Sequence, residues 1–231
     1  MHPLAHHHRP GAAPTILFLP GYASDMSGTK ALALDAWAQA SGRALLRFDY
    51  RGCGASPGAF EDFTLADWRD DVLRAIDAVS GPVLLVGSSM GGWLMLLAAL
   101  ARPERIAGLV GIAAAPDFTD WGFTPEEKRT LLSQGRLERP TPYGPAPMRY
   151  TRAFWQAGEA LRVMHGSIAV TAPVRLLHGM ADAEVPYQRA VALAEQLRSA
   201  DVQLLLVKEG DHRLSRADDL ARLIRAIEEL L

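Results

Sequence analysis

The run Val83-Leu84-Leu85-Val86-Gly87-Ser88-Ser89-Met90-Gly91-Gly92-Trp93-Leu94-Met95-Leu96-Leu97 narrows the possible folds more than any other part of the chain. A short apolar segment leads into Gly-x-Ser-x-Gly and then into good helix formers, which is the strand, turn and helix context of a nucleophile elbow. The spacing has a steric reason. A serine on so sharp a turn occupies a strained backbone conformation, and Gly87 and Gly91, two residues either side, let strand and helix close around it without a Cβ clash. Ser89 is then expected to stand exposed above a sheet. The N–H of Met90 falls in the first turn of the helix, where it has no intrahelical acceptor and can point at a developing oxyanion.

The flanking segments supply the elements such an elbow needs. Thr15-Ile16-Leu17-Phe18-Leu19 is continuously apolar, as expected of a strand buried on both faces, and Pro20-Gly21-Tyr22 ends it. Lys30 to Ala38 is rich in helix formers, with Thr29 the expected N-cap and Gly42 the expected stop. A second strand is expected over 44–50, followed by the turn-rich stretch 51–58. Thr64 and Asp67 have capping-box spacing, and Leu65, Trp68, Val72, Ile76 and Val79 follow at helical intervals until Gly81-Pro82. The elbow helix should run to Ala101, since Pro103 stops it. Further strands are expected over 108–114, 174–178 and 202–207. A helix from Pro186 to Arg198, with proline in its first turn, separates the last two, and an amphipathic helix closes the chain from Ser215 to Leu231. Strands alternating with helices imply an α/β fold: a mostly parallel sheet flanked by helices, with right-handed crossovers.

Between the strand near Ala114 and the one near Val174 the apolar periodicity fades. Residues 116–167 carry Pro125, Pro140, Pro142, Pro145 and Pro147 together with Trp121, Phe123, Tyr143, Tyr150, Phe154 and Trp155. A flexible linker is poor in large aromatics, whereas a lid over a pocket needs them, so this stretch reads as a lid insertion in a single domain spanning 1–231. Phe154 and Trp155 are the expected substrate-binding aromatics.

Composition removes several functions. Charged residues are 22% of the chain and the formal net charge is −2, so no basic field marks a nucleic-acid partner. No apolar run reaches the roughly 18 residues that span a bilayer, so no stable membrane insertion is expected, and the start of the chain lacks an apolar signal core of roughly 7 to 15 residues. Cys53 is the single cysteine, which rules out an internal disulfide, and it reads as a small loop residue. His6, His7 and His8 fit an edge strand better than a metal site. No metal-ligand spacing and no phosphate-binding glycine loop appears, so neither metal nor cofactor is expected.

A serine hydroxyl is a weak nucleophile, so Ser89 needs a base and the base an orienting group. Asp182 follows the strand at 174–178, and His212 lies between the last strand and the last helix; the chain order serine, aspartate, histidine completes a triad of the kind such folds carry. Asp211 and Glu184 are the rival acids, and Asp211 ranks below Asp182 because its neighbour position aims its side chain away from the histidine. A second oxyanion donor should come from the loop after the first buried strand. Pro20 has no N–H to give, which leaves the backbone N–H of Tyr22 beside that of Met90. Ser24 and Asp25 are placed to hold that loop, and Ser88 reads as a packing residue.

At Leu19-Pro20-Gly21-Tyr22, Ser27 to Ala33, Arg47-Phe48-Asp49-Tyr50, Gly87 to Met95 and Leu177-His178-Gly179-Met180, the chain resembles the palmitoyl-protein thioesterase family of the α/β-hydrolase superfamily. The resemblance runs from Leu4 to the C-terminal helix and is weakest over 116–167. It implies the α/β-hydrolase fold, a native strand over 4–9, and hydrolysis of a small-molecule acyl ester or thioester without a cofactor, with Ser89 as nucleophile, Asp182 as acid and His212 as base. Carbon–carbon bond hydrolysis by the same triad and a non-catalytic small-molecule receptor are the alternatives. No extended Arg- and Ser-rich leader precedes Leu4, from which a cytoplasmic location is expected.

Overall fold

Apolar runs without polar alternation need cover on both faces, and they occupy the middle of one sheet. The computed structural model describes residues 4–142 and 144–231, so Tyr143 lies outside the described residues. Its strands are β1 His6–Arg9, β2 Ala12–Leu19, β3 Arg43–Phe48, β4 Val83–Ser88, β5 Ile106–Ile112, β8 Val174–Gly179 and β9 Val202–Val207. They order as β1-β3-β2-β4-β5-β8-β9, parallel throughout except for β1, which runs antiparallel to β3. Every residue of β4 and β8 is buried. The edge strands β1 and β9 instead alternate in exposure.

Because successive strand residues face opposite ways, neighbours part company: Leu17 and Leu85 join one core, Ile16 and Leu84 the other. The first core lies under α2 (Leu65–Ala78) and α3 (Met90–Ala101) and contains Trp68 and Trp93. The second lies under α1 (Thr29–Ser41) and α8 (Ala217–Glu228), with Leu34, Leu223 and Ile227. This is the expected fold class. The capping box at Thr64 and Asp67 forms, and Gly42 ends α1 at φ 68°.

Several boundaries differ for local reasons. Gly28, extended and without a side-chain cap, is the N-cap of α1, and Thr29 is its first helical residue. The preceding loop reaches this point already shaped by Asp25, which accepts from Ser27 N at 2.7 Å, and by Asp49, which accepts from Met26 N at 2.7 Å. The same Asp49 ends β3 at Phe48 by turning inward, and its other oxygen accepts from Ala55 N at 2.8 Å, which folds the loop over 51–58. β5 stops at Ile112 because Ala113 has φ 45°. Helix α7 is Gln188–Gln196, and Pro186 sits ahead of it in a turn closed by Arg189 N at 2.8 Å.

The segment between β5 and β8 is folded throughout its described part. It holds α4 Phe118–Trp121, α5 Pro125–Gln134, the hairpin β6 Arg136–Arg139 with β7 Met148–Thr151, and α6 Arg152–Ala160. Thr124 and Glu127 cap α5, and Thr151 caps α6. Buried Asp117 accepts from Val163 N and Met164 N at 2.9 and 2.8 Å, tying the two ends of the segment together. Among the described residues no helix is long and apolar enough to cross a membrane.

Candidate active site

Ser89 stands at the junction of β4 and α3 with φ 54° and ψ −117°. A non-glycine residue held there costs of order 1–3 kcal/mol, which the surroundings must supply. They do so through Ser89 N to Ile112 O at 2.9 Å, and through Gly92 N and Ala115 N to Ser89 O at 2.9 and 3.1 Å. A Cβ at Gly91 would collide with the Leu19 carbonyl, and one at Gly87 with the Gly91 carbonyl, so both glycines are steric requirements of the turn.

The ends of β8 and β9 bring Asp182 and His212 to this serine. His212 Nε2 lies 3.1 Å from Ser89 Oγ, and His212 Nδ1 lies 2.8 Å from Asp182 Oδ2. The other Asp182 oxygen accepts from Glu184 N and Val185 N at 2.8 Å each. The carboxylate has no solvent exposure. Burial by itself would raise its pKa, but the neighbouring His178 ring, the hydrogen bond with His212 and then the Val185 N–H hold it well below the usual carboxylate range. Of the rival acids, Asp211 is turned to accept from Leu214 N at 2.9 Å, while Glu184 is 43% exposed and lies 3.9 Å from His212 Nε2. A hydroxyl bonded to an imidazole whose far nitrogen is held by a carboxylate can give up its proton to the ring as it attacks a carbonyl.

The loop after β2 runs alongside. A Cβ at Gly21 would lie 3.4 Å from Ser89 Cβ, and Tyr50 Oη donates to Pro20 O at 3.2 Å, so the loop is held against the elbow. Among the described residues, no hydrogen bond uses the N–H of Tyr22 or of Met90. The Tyr22 side chain makes contacts that the sequence did not reveal: its hydroxyl donates to Arg149 O at 2.5 Å and its ring stacks on Tyr150 at 4.9 Å, fastening the β6–β7 hairpin to the loop after β2.

A cleft of about 570 Å³ opens over Ser89. Tyr22, Phe118, Trp121, Met148, Tyr150 and Val185 give it an apolar side, and Thr29, Lys30, Arg213 and Ser215 a polar rim near His212. Phe154 and Trp155 do not line it. Phe154 faces inward and is 1% exposed, packed against the rings of Tyr22, Trp68 and Phe118 at 4.8, 5.7 and 5.7 Å. Trp155 donates its indole N–H to Thr119 O at 3.0 Å. Helical periodicity in α6 points Phe154 at the core, which a count of aromatics could not show. Arg139, also in the cleft wall, sits 4.6 Å over Phe123 and is bound by Glu127 at 2.8 and 2.9 Å. Lys30 donates to Arg213 O at 2.6 Å, and burial, with Arg213 nearby, lowers its pKa to about 8. Among the described residues no group of three or more His, Cys, Asp or Glu could hold a metal ion.

Comparison with known proteins gives the family of the fold. A model of the alpha/beta hydrolase family matches residues 16–228. The mitochondrial palmitoyl-protein thioesterase ABHD10 of Mus musculus is 42% identical over 99% of this chain and 78% of its own length, and that of Homo sapiens is 42% identical over 99% and 76%. The solved structure of mouse alpha/beta hydrolase domain-containing protein 10 superposes with a TM-score of 0.91 at 41% identity, covering 97% of this chain and 92% of that one. The mitochondrial designation of these relatives overturns the expected cytoplasmic location. That expectation rested on the first residues of a chain that spans only 78% of the mouse protein, so they are no guide to what precedes the matched region.

Proposed function

The chain belongs to the alpha/beta hydrolase family, and from that premise we propose that it is a serine hydrolase cleaving acyl thioesters or carboxylic esters through an acyl-enzyme. The observation that carries this reading is the Ser89, His212 and Asp182 chain, with links of 3.1 and 2.8 Å ending on a buried carboxylate. Ser89 Oγ attacks the acyl carbon while its proton passes to His212 Nε2, and Asp182 stabilises the imidazolium. The N–H groups of Tyr22 and Met90 receive the oxyanion, each such donor being worth about 10²–10³ in rate. The carbon–sulfur or carbon–oxygen bond then breaks as His212 returns the proton to the leaving atom. Water, deprotonated by the same nitrogen, releases the acid and restores Ser89.

Leaving-group protonation by His212 places that group against the polar rim, and the acyl chain then runs along Tyr22, Phe118, Met148 and Tyr150. In this reading the chain is one domain and residues 116–167 form its lid. The relatives named as palmitoyl-protein thioesterases favour an acyl thioester. The test is multiple turnover of a graded panel of acyl thioesters and nitrophenyl esters by wild type and Ser89→Ala. Turnover lost by at least about 10⁴-fold in the variant, with its melting curve unchanged, is the expected result. Labelling of Ser89 by a fluorophosphonate without turnover of any panel member would make the protein a receptor instead.

A further inference from the structure

A second histidine bears on the site from below. His178, in β8, has no solvent exposure, and its Nε2 lies 2.9 Å from Val185 O and 3.3 Å from Asp182 Oδ2. A carbonyl oxygen only accepts, so the ring carries its proton on Nε2. Its Nδ1 is buried and has no partner among the described residues, so a second proton there would be an unsatisfied donor. Val185 is thereby gripped from both sides: its N–H goes to Asp182 Oδ1 and its carbonyl takes the His178 proton.

We propose that His178 is a positioning residue for the hydrolysis, resting on the reading of the site given above. It closes the turn that presents Asp182, and its Nε2 lies 3.3 Å from Oδ2, the oxygen that serves His212, so a shift of the turn moves the acid away from the imidazole. Nothing in the local spacing forces a histidine here merely for packing, since a leucine fills a similar volume in an apolar strand. What leucine lacks is the Nε2–H, and that proton is what fastens the Val185 carbonyl and with it the turn that holds the acid.

The test compares His178→Leu, which removes the donor, with His178→Gln, whose amide can still donate to Val185 O. His178→Leu should lower kcat on a nitrophenyl ester roughly 10- to 100-fold with KM little changed, the size expected when one hydrogen bond to a charged group is lost. It should also move the acid limb of kcat/KM to lower pH, because an Asp182 no longer held in place stabilises the His212 imidazolium less. A side chain that merely fills the strand would leave that limb in place. The other charged groups around His212 are unaltered by the substitution: Glu184 in the acid turn, Lys30 on α1 and Arg213 in its own loop. His178→Gln should recover most of the rate. Nitrogen-15 spectra of the wild-type histidines give a readout that needs neither turnover nor a variant. A His178 ring protonated at Nε2 and bare at Nδ1 supports the proposal, and one protonated at Nδ1 overturns it. Wild-type kcat and an unmoved limb in a folded His178→Leu also overturn it. If wild type shows no Ser89-dependent turnover, the functional reading fails, and the ring spectrum together with the His212 Nδ1–H resonance in His178→Leu still decides whether His178 acts on the acid.

Discussion

Replacing Asp182 by asparagine changes one atom, and the structure dictates which way the amide must turn. The position of Oδ1 accepts from two backbone N–H groups, Glu184 and Val185, at 2.8 Å each. Only the amide oxygen can occupy it without setting donors against donors, so the NH₂ is forced into the place of Oδ2, facing His212 Nδ1 at 2.8 Å and His178 Nε2 at 3.3 Å. His212 must then present a bare Nδ1 and carry its proton on Nε2, where it can no longer take the one from Ser89. A tautomer reversed in this way costs on the order of 10⁴ in kcat in the serine proteases, and the same loss is expected here. Asp211→Asn is the control. Its carboxylate meets Leu214 N at 2.9 Å, and an asparagine keeps that acceptor, so activity should stay within a few-fold. The assay is kcat/KM on a nitrophenyl ester and on an acyl thioester, with melting curves alongside. An Asp182→Asn protein that folds and retains a tenth of wild-type activity would refute the reasoning, as would an Asp211→Asn protein crippled instead.

Three further expectations concern the cleft and its surroundings. Met148→Ala should extend the acyl-length cutoff by one or two carbons while leaving the acetyl ester rate unchanged, since each methylene buried contributes about 0.8 kcal/mol; a profile that falls equally at every length contradicts this. Phe154→Ala should instead lower stability by about 3–5 kcal/mol, because the ring is buried among Tyr22, Trp68 and Phe118; a chemical denaturation midpoint equal to wild type would show the ring is not load-sharing. Lys30 releases its proton in the folded chain at about 8, against 10.5 when exposed, so the unfolded chain binds more protons between those values and stability should rise with pH across them. Lys30→Met should lack that rise in urea melts.

The parts of the fold legible in the sequence were those fixed by local chemistry. The elbow announces itself because Gly87, Ser89 and Gly91 meet a steric demand at fixed spacing, and β2, β4 and β8 because strands covered on both faces admit no polar alternation. Thr64 and Asp67 cap α2 through neighbours three apart, which is equally visible in the chain. What stayed hidden depends on distant partners. Asp49 ties the loop at Met26 to the one at Ala55, and by doing so decides where α1 and β3 begin and end. The segment between β5 and β8 includes α4 with four residues and hairpin strands of four, too short for periodicity to register, and its longest helices, α5 and α6, have ten and nine, so its aromatics were visible but not their directions. Phe154 and Trp155 illustrate this: adjacent residues on one short helix, neither in the cleft, while Phe118, Trp121, Met148 and Tyr150 are. His178 carried a signal only in hindsight, four residues before Asp182 and at a strand end.

Acylation of Ser89 is the central step of the proposed reaction. Wild-type protein mixed with an excess of a long-chain acyl thioester, quenched in acid within the first turnover and digested, should yield the Ser89 peptide heavier by one acyl group. Ser89→Ala should give none, and the label should vanish as turnover completes. An acyl group found on another residue, or turnover of the thioester by Ser89→Ala at the wild-type rate, would contradict it.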